Sequence, residues 1–118
     1  MAFEVLDRDG FLELRMFGVV DGTSVLTEPE LERFAATGRL LVNTVDVTTV
    51  TADVMWMAGL VRRAFSYGPI RVAVLAGDDV VFGTFRQVSA YRGESPEGSS
   101  VDFFRDRNDA LGWLLAPG

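Results

Sequence analysis

Cysteine, histidine and lysine are all missing from this chain of 118 residues. Each absence removes a class of chemistry. Without cysteine there is no disulfide and no thiolate nucleophile, and without histidine as well there is no ordinary zinc site and no Ser–His pair. Without lysine there is neither a P-loop amine nor a Schiff base. Long apolar runs are also lacking. The longest, Val54 to Val61, spans eight residues, well short of the roughly 20 that cross a bilayer as a helix. Positive charge is scarce: eleven basic residues, all arginine, face 17 acidic ones, for a net charge of −6 and a pI near 4.5. A polyanion is repelled on average and no basic stripe offsets this, so nucleic acid is not an expected partner. The opening residues MAFEVLDRDG carry acids and no apolar run. They do not read as an export signal, and a cytoplasmic location is expected.

What remains for chemistry is carboxylate, hydroxyl, guanidinium and backbone. The length is that of one domain, residues 1–118, large enough to bury about two thirds of its surface on folding. Two apolar-rich segments, Phe3–Asp7 and Phe11–Phe17, flank Arg8-Asp9-Gly10, and Asp-Gly between alternating runs predicts a hairpin. Gly18 is read as the end of the second strand and Asp21-Gly22 as a turn. Thr27 and Glu30 have capping-box spacing with Pro29 in the first turn, Leu31, Phe34 and Ala35 share a face, and Gly38 is the stop; together they predict a helix. The β-branched run Arg39–Val45 reads as a buried central strand.

Residues 51–66 form the longest expected helix, with Val54, Met57, Ala58, Val61 and Phe65 on its inner face. Tyr67-Gly68-Pro69 ends it, and 70–76 is a second buried strand closed by Gly77. Asp78-Asp79 open a third helix, whose inner face is Val81, Thr84, Phe85 and Val88. After the polar segment 93–100 come a short strand, Val101–Phe104, and a helix capped by Asp106 that carries Ala110, Leu111, Trp113, Leu114 and Leu115. The order is β-β-α-β-α-β-α-β-α. Strands alternating with helices predict an α/β fold with a single mixed, mostly parallel sheet and an N-terminal antiparallel hairpin.

Four local pieces together with this order resemble the SpoIIAA-like family of the STAS fold, also described as STAS/Sec14-like domains. They are Leu41-Val42-Asn43-Thr44-Val45-Asp46 entering a loop, Met55-Trp56-Met57 on a helix, Arg71-Val72-Ala73-Val74 ending at Gly77-Asp78, and Ala110-Leu111-Gly112-Trp113-Leu114 in the closing helix. The resemblance covers nearly the whole chain, and members of this group are mostly small bacterial proteins of unknown function. Classical relatives are anti-anti-sigma factors, switched by phosphorylation of a Ser in an Asp-Ser-Ser/Thr-Gly loop. Here the corresponding stretch is Asp46-Val47-Thr48-Thr49-Val50-Thr51, with no Ser and no Gly. Thr48, Thr49 and Thr51 are the hydroxyls available to such a switch, while Asp46 and Asp53 flank them and repel a dianion. The competing reading is a helix cap and its neighbours.

Met55 and Trp56 fall towards the face of helix 51–66 opposite its core stripe, near Arg62 and Arg63. Trp, Met and Arg are the side chains enriched at protein interfaces. A helix apolar nearly all round needs cover, either from a second layer of the same domain such as the following helix or from a second copy of the chain, the simpler of the two. The acid pairs Asp7/Asp9, Asp78/Asp79 and Asp106/Asp109 sit at turn or cap spacings rather than as a catalytic dyad. No metal or cofactor motif is present. The expectation is therefore a protein-binding, self-associating domain using Met55, Trp56, Arg62 and Arg63. The alternative is a binder of a small apolar or lipid-like ligand in a groove beside helix 51–66.

Overall fold

The computed structural model describes residues 2–21, 26–51, 54–91 and 98–117; the side chains of 2, 54, 56–58, 60 and 88–91 lie outside that description. Five strands form one sheet in the order β1-β2-β3-β4-β5. They are β1 (Ala2–Asp7), β2 (Leu12–Val20), β3 (Arg39–Val50), β4 (Arg71–Leu75) and β5 (Ser100–Phe104). The first two pair antiparallel around Gly10 and the rest are parallel. Helices α1 (Glu28–Thr37), α2 (Val54–Ser66), α3 (Asp79–Tyr91) and α4 (Arg107–Leu114) complete the order expected from the sequence.

Local chemistry sets several of these boundaries. The Glu30 carboxylate accepts from the Thr27 backbone N–H at 2.8 Å and from its hydroxyl at 2.9 Å, which holds the first turn of α1. Gly38, at φ 78°, turns the chain out of that helix, and its N–H bonds the Phe34 carbonyl. The Asp106 side chain accepts from the Asp109 N–H and starts α4.

Consecutive parallel crossovers of one hand put α1, α2 and α3 on the same side of the sheet. There Leu31, Phe34, Phe65 and Val81 pack on Leu12, Leu14, Leu40, Val72 and Val74 in the larger core. The chain leaves β5 for the other side, where Ala110 and Leu114 of α4 cover Phe11, Leu41, Ala73 and Leu75. This second core is small because α4 is only eight residues long and packs mainly on β3, β4 and β5.

Two sequence boundaries are corrected by the structure. β2 does not end at Gly18 but continues to Val20, passing through Gly18 at φ 73°. β3 does not end at Val45: the expected loop over Asp46, Thr48, Thr49 and Thr51 is strand as far as Val50, with only Thr51 beyond it. Asp46 is a poor strand former, which made it look like a terminus. It is tolerated because its exposed carboxylate pairs with Arg15 on β2, and the following Val47-Thr48-Thr49-Val50 is β-branched throughout.

The extension is irregular. Between the pairs Arg15↔Asn43 and Phe17↔Asp46, β3 has one residue more than β2, and the same holds between Gly18↔Val47 and Val19↔Thr49. Both are bulges in β3, which bend a strand and increase its twist. The first lies where β4 ends, since Asn43↔Leu75 is the last pair of those two strands.

Candidate functional site

The bulge at Thr44-Val45 is pinned from three directions. Asn43 accepts the Val45 N–H on its Oδ1 at 3.0 Å, and the buried Thr44 hydroxyl donates to the Leu75 carbonyl at 2.7 Å. Gly77, at the exit of β4, crosses so closely that a Cβ there stands 3.1 Å from the Val45 carbonyl oxygen and 3.3 Å from its Cα. Backbone cannot step aside as a flexible side chain does. Gly77→Ala is therefore expected to cost about 1–3 kcal/mol of unfolding free energy, read as a lower urea midpoint at unchanged m-value.

Past this pinned point β3 pairs only with β2 among the described residues, and the start of α3 faces it across a cleft. The cleft holds about 380 Å³ and is lined by Thr48, Thr49 and Val50 of β3 and Asp78, Asp79, Val80, Val81 and Thr84 around the start of α3. Asp78 caps the helix, accepting the Val81 N–H at 2.8 Å. Asp79 pairs with Arg105 from the β5–α4 connection, whose guanidinium lies over the Phe82 ring. Val80 is 79 % exposed. Outside the carboxyl ends of parallel strands is where α/β sheets commonly carry ligands.

The other feature built by the fold is a buried carboxylate that the sequence pattern did not reveal. Glu13 alternates on β2 with the buried Leu12 and Leu14 and so points to the opposite face of the sheet, yet it is only 1 % exposed. Arg107, at the first position of α4, reaches it with two bonds of 2.7 and 3.2 Å, Asn43 donates at 2.9 Å and Arg8 at 3.1 Å. Burial by itself raises this carboxyl, but the hydrogen bonds from Arg107, Asn43 and Arg8 outweigh it and bring the pKa from 4.5 down to about 2. The same contact raises Arg107 above its ordinary value. Because Asn43 holds both Glu13 and the Val45 N–H, the ion pair under α4 and the bulge at the cleft share a residue. The only sequence signal was an acid on a strand and an arginine 94 positions away.

The residues singled out from the sequence separate into two groups. Met55 is 53 % exposed on α2, and Arg62 and Arg63 of the same helix are exposed as well. Arg63 comes within 4.0 Å of Glu28 on α1. The side chain of Trp56 lies outside the described residues, as do those of Val54, Met57 and Ala58 from the expected inner stripe; Val61 and Phe65 of that stripe do pack in the core. Asp46 is held by Arg15 at 2.8 Å, and hydrogen bonds to Asp46 and Glu4 raise that arginine above its ordinary value. Thr48 and Thr49 face the start of α3 at the cleft, and Thr51 donates its N–H to the Val20 carbonyl. Among the described residues no three acidic side chains converge as metal ligands. No helix among them is long and apolar enough to cross a membrane.

A solved structure matches this arrangement over nearly its full length. It is an uncharacterised protein of the DUF3478 family from Shewanella loihica PV-4, described as having a SpoIIAA-like fold, and the two superpose with a TM-score of 0.57. The alignment covers 97 % of this chain and 93 % of that one at 16 % identity. The fold is SpoIIAA-like. Neither a protein-family profile nor a curated protein matches the chain. At this level of identity the likeness carries architecture and not activity. The fold expected from the sequence is thus the one present, with its antiparallel pair at the N-terminus and its parallel strands after it.

Proposed function

We propose that the chain is a non-enzymatic protein-interaction domain of the SpoIIAA-like fold that associates with a second copy of itself through α2. The observation that carries this reading is the exposure of Met55, 53 %, on the same helix as exposed Arg62 and Arg63. At 100° per residue Met55, Gly59 and Arg62 stack in one stripe, and Gly59 lets a partner helix approach closely. Met and Arg flanking such a contact are typical of interface cores and rims. The titratable chemistry supports the absence of catalysis. Among the described residues the one strongly shifted carboxyl is pushed down rather than up and already holds Arg107, Asn43 and Arg8, the opposite of a poised general acid.

Light scattering coupled to size exclusion tests the proposal. The protein is expected to run as a dimer at about 100 μM, with dissociation at micromolar concentrations typical of a modest interface. The double variant Met55→Glu/Arg62→Glu is expected to be monomeric at the same concentration, with an unchanged far-ultraviolet circular dichroism spectrum. A wild-type monomer throughout this range overturns the reading.

A further inference from the structure

β5 lies at the end of the sheet, so its outer side meets no strand among the described residues. On its inner side the Ser100 N–H donates to the Ile70 carbonyl, and the Phe104 carbonyl accepts the Ala76 N–H. Residues that bond a given neighbour alternate along a parallel ladder. Ser100, Asp102 and Phe104 therefore bond β4, while Val101 and Phe103 turn their N–H and C=O groups outward. An outward row of this kind, on a strand rich in Val and Phe, is a template for another strand.

The residue at the middle of β5 works against that. The Asp102 Oδ1 accepts the Phe103 N–H at 2.8 Å, so one of the two outward donors between Ser100 and Phe104 is used within the chain. Exposed acids elsewhere in the sheet behave differently: Glu4 on β1 and Asp46 on β3 both hold Arg15. Asp102 turns instead to the backbone beside it. Its place in the strand adds a second effect. Asp102 is the third of five residues, so two β5 strands meeting antiparallel at full overlap set this carboxylate opposite its own counterpart. Like charges directly opposite one another destabilise a strand pair.

We propose that Asp102 closes the outer edge of β5 against pairing with a second copy, by holding the Phe103 N–H and by setting a charge at the centre of the strand. This goes beyond the reading of α2, because it concerns the face that self-association is kept away from and uses no residue of that helix.

The test places Asp102→Val and Asp102→Asn separately in the full chain carrying Met55→Glu/Arg62→Glu, a parent in which contact through α2 is suppressed. The parent is expected to be monomeric by light scattering at about 500 μM. Its Phe103 amide is expected to exchange hydrogen at least about fivefold more slowly than the Val101 amide, after correction for intrinsic rates. Asp102→Val frees the N–H, removes the charge and introduces a better strand former. It is expected to dimerise at about 500 μM, with exchange at Val101 and Phe103 slowing at least about tenfold between 10 and 500 μM. Asp102→Asn keeps an Oδ1 acceptor and loses the charge. It is expected to retain the Phe103 protection within about threefold and to dimerise at least about tenfold more weakly than Asp102→Val. An Asp102→Val protein that stays monomeric overturns the proposal, as does a dimer whose Val101 and Phe103 exchange is unchanged, since its contact lies elsewhere. Equal dimerisation of the Val and Asn variants, or a parent whose Phe103 exchanges as fast as Val101, removes the role of the held N–H and overturns it as well.

Discussion

Arg107→Ala is expected to lower the unfolding free energy by about 2–3 kcal/mol at neutral pH and by far less near pH 2. The reason lies in the Glu13 carboxylate, 1 % exposed, which loses its two-bond partner while Arg8 and Asn43 stay in place. Its folded pKa of about 2 lies below the ordinary value of 4.5. A depressed carboxyl stabilises the fold fully above the unfolded value and loses that contribution as pH falls from about 4.5 towards about 2. For the wild type this amounts to about 3 kcal/mol at most. Without Arg107 the folded pKa rises, so the pH dependence of stability flattens. Urea unfolding of both proteins at stepped pH from 7 down to 2.5 measures this. A cost that stays constant across the series would mean that Arg107 acts through packing of its stem and not through the ion pair.

Leu41→Ala supplies the contrasting case. Leu41 is 0 % exposed in the centre of the small core under α4, in one cluster with Phe11, Ala73, Leu75, Ala110 and Leu114. Truncating it removes apolar burial and leaves a cavity, for an expected cost of about 3 kcal/mol. That cost carries no titrating group and is expected to be the same at pH 7 and pH 4. The two substitutions act on one element, the short helix α4, from opposite chemical sides. Both are expected to speed hydrogen exchange at the amides of α4 more than at those of α1, because only α4 rests on Leu41 and Glu13. Exchange that rises equally in α1 would show that α4 is not a separable unit and that the two cores unfold together.

The link from this clamp to the cleft runs through Asn43, whose amide donates to Glu13 and whose oxygen accepts the Val45 N–H. Bulges are features that redirect a strand and commonly border functional surfaces. In this chain the bulge at Thr44-Val45 lies where β4 ends, and beyond it β3 pairs only with β2 among the described residues. Stability under α4 and exposure of the edge are thus parts of one arrangement. What the two regions share is Asn43 and, through it, the buried and fully hydrogen-bonded Glu13 carboxylate.

Elements whose formation depends on neighbouring residues were legible from the chain alone. The Thr27–Glu30 box, Gly38 at the end of α1, Asp106 at the start of α4 and the Asp-Gly hairpin are short-range chemistry, and each sits where its spacing put it. Amphipathic periodicity likewise placed Met55, Arg62 and Arg63 on the outer side of α2, since a helix must turn one face to the core whatever that core contains. Strand limits and polar burial were not legible. Whether β3 stops at Val45 or continues to Val50 depends on Arg15 being there to hold Asp46 and on β2 running on to Val20. Whether Glu13 faces water depends on α4 folding back to bring Arg107 onto it. Pairing register and long-range ion contacts are set by residues far apart in the chain, so only the assembled sheet decides them. Local spacing thus determined which segments would be strands and helices, while packing across the sheet determined where a strand edge is left open and where a charge is hidden.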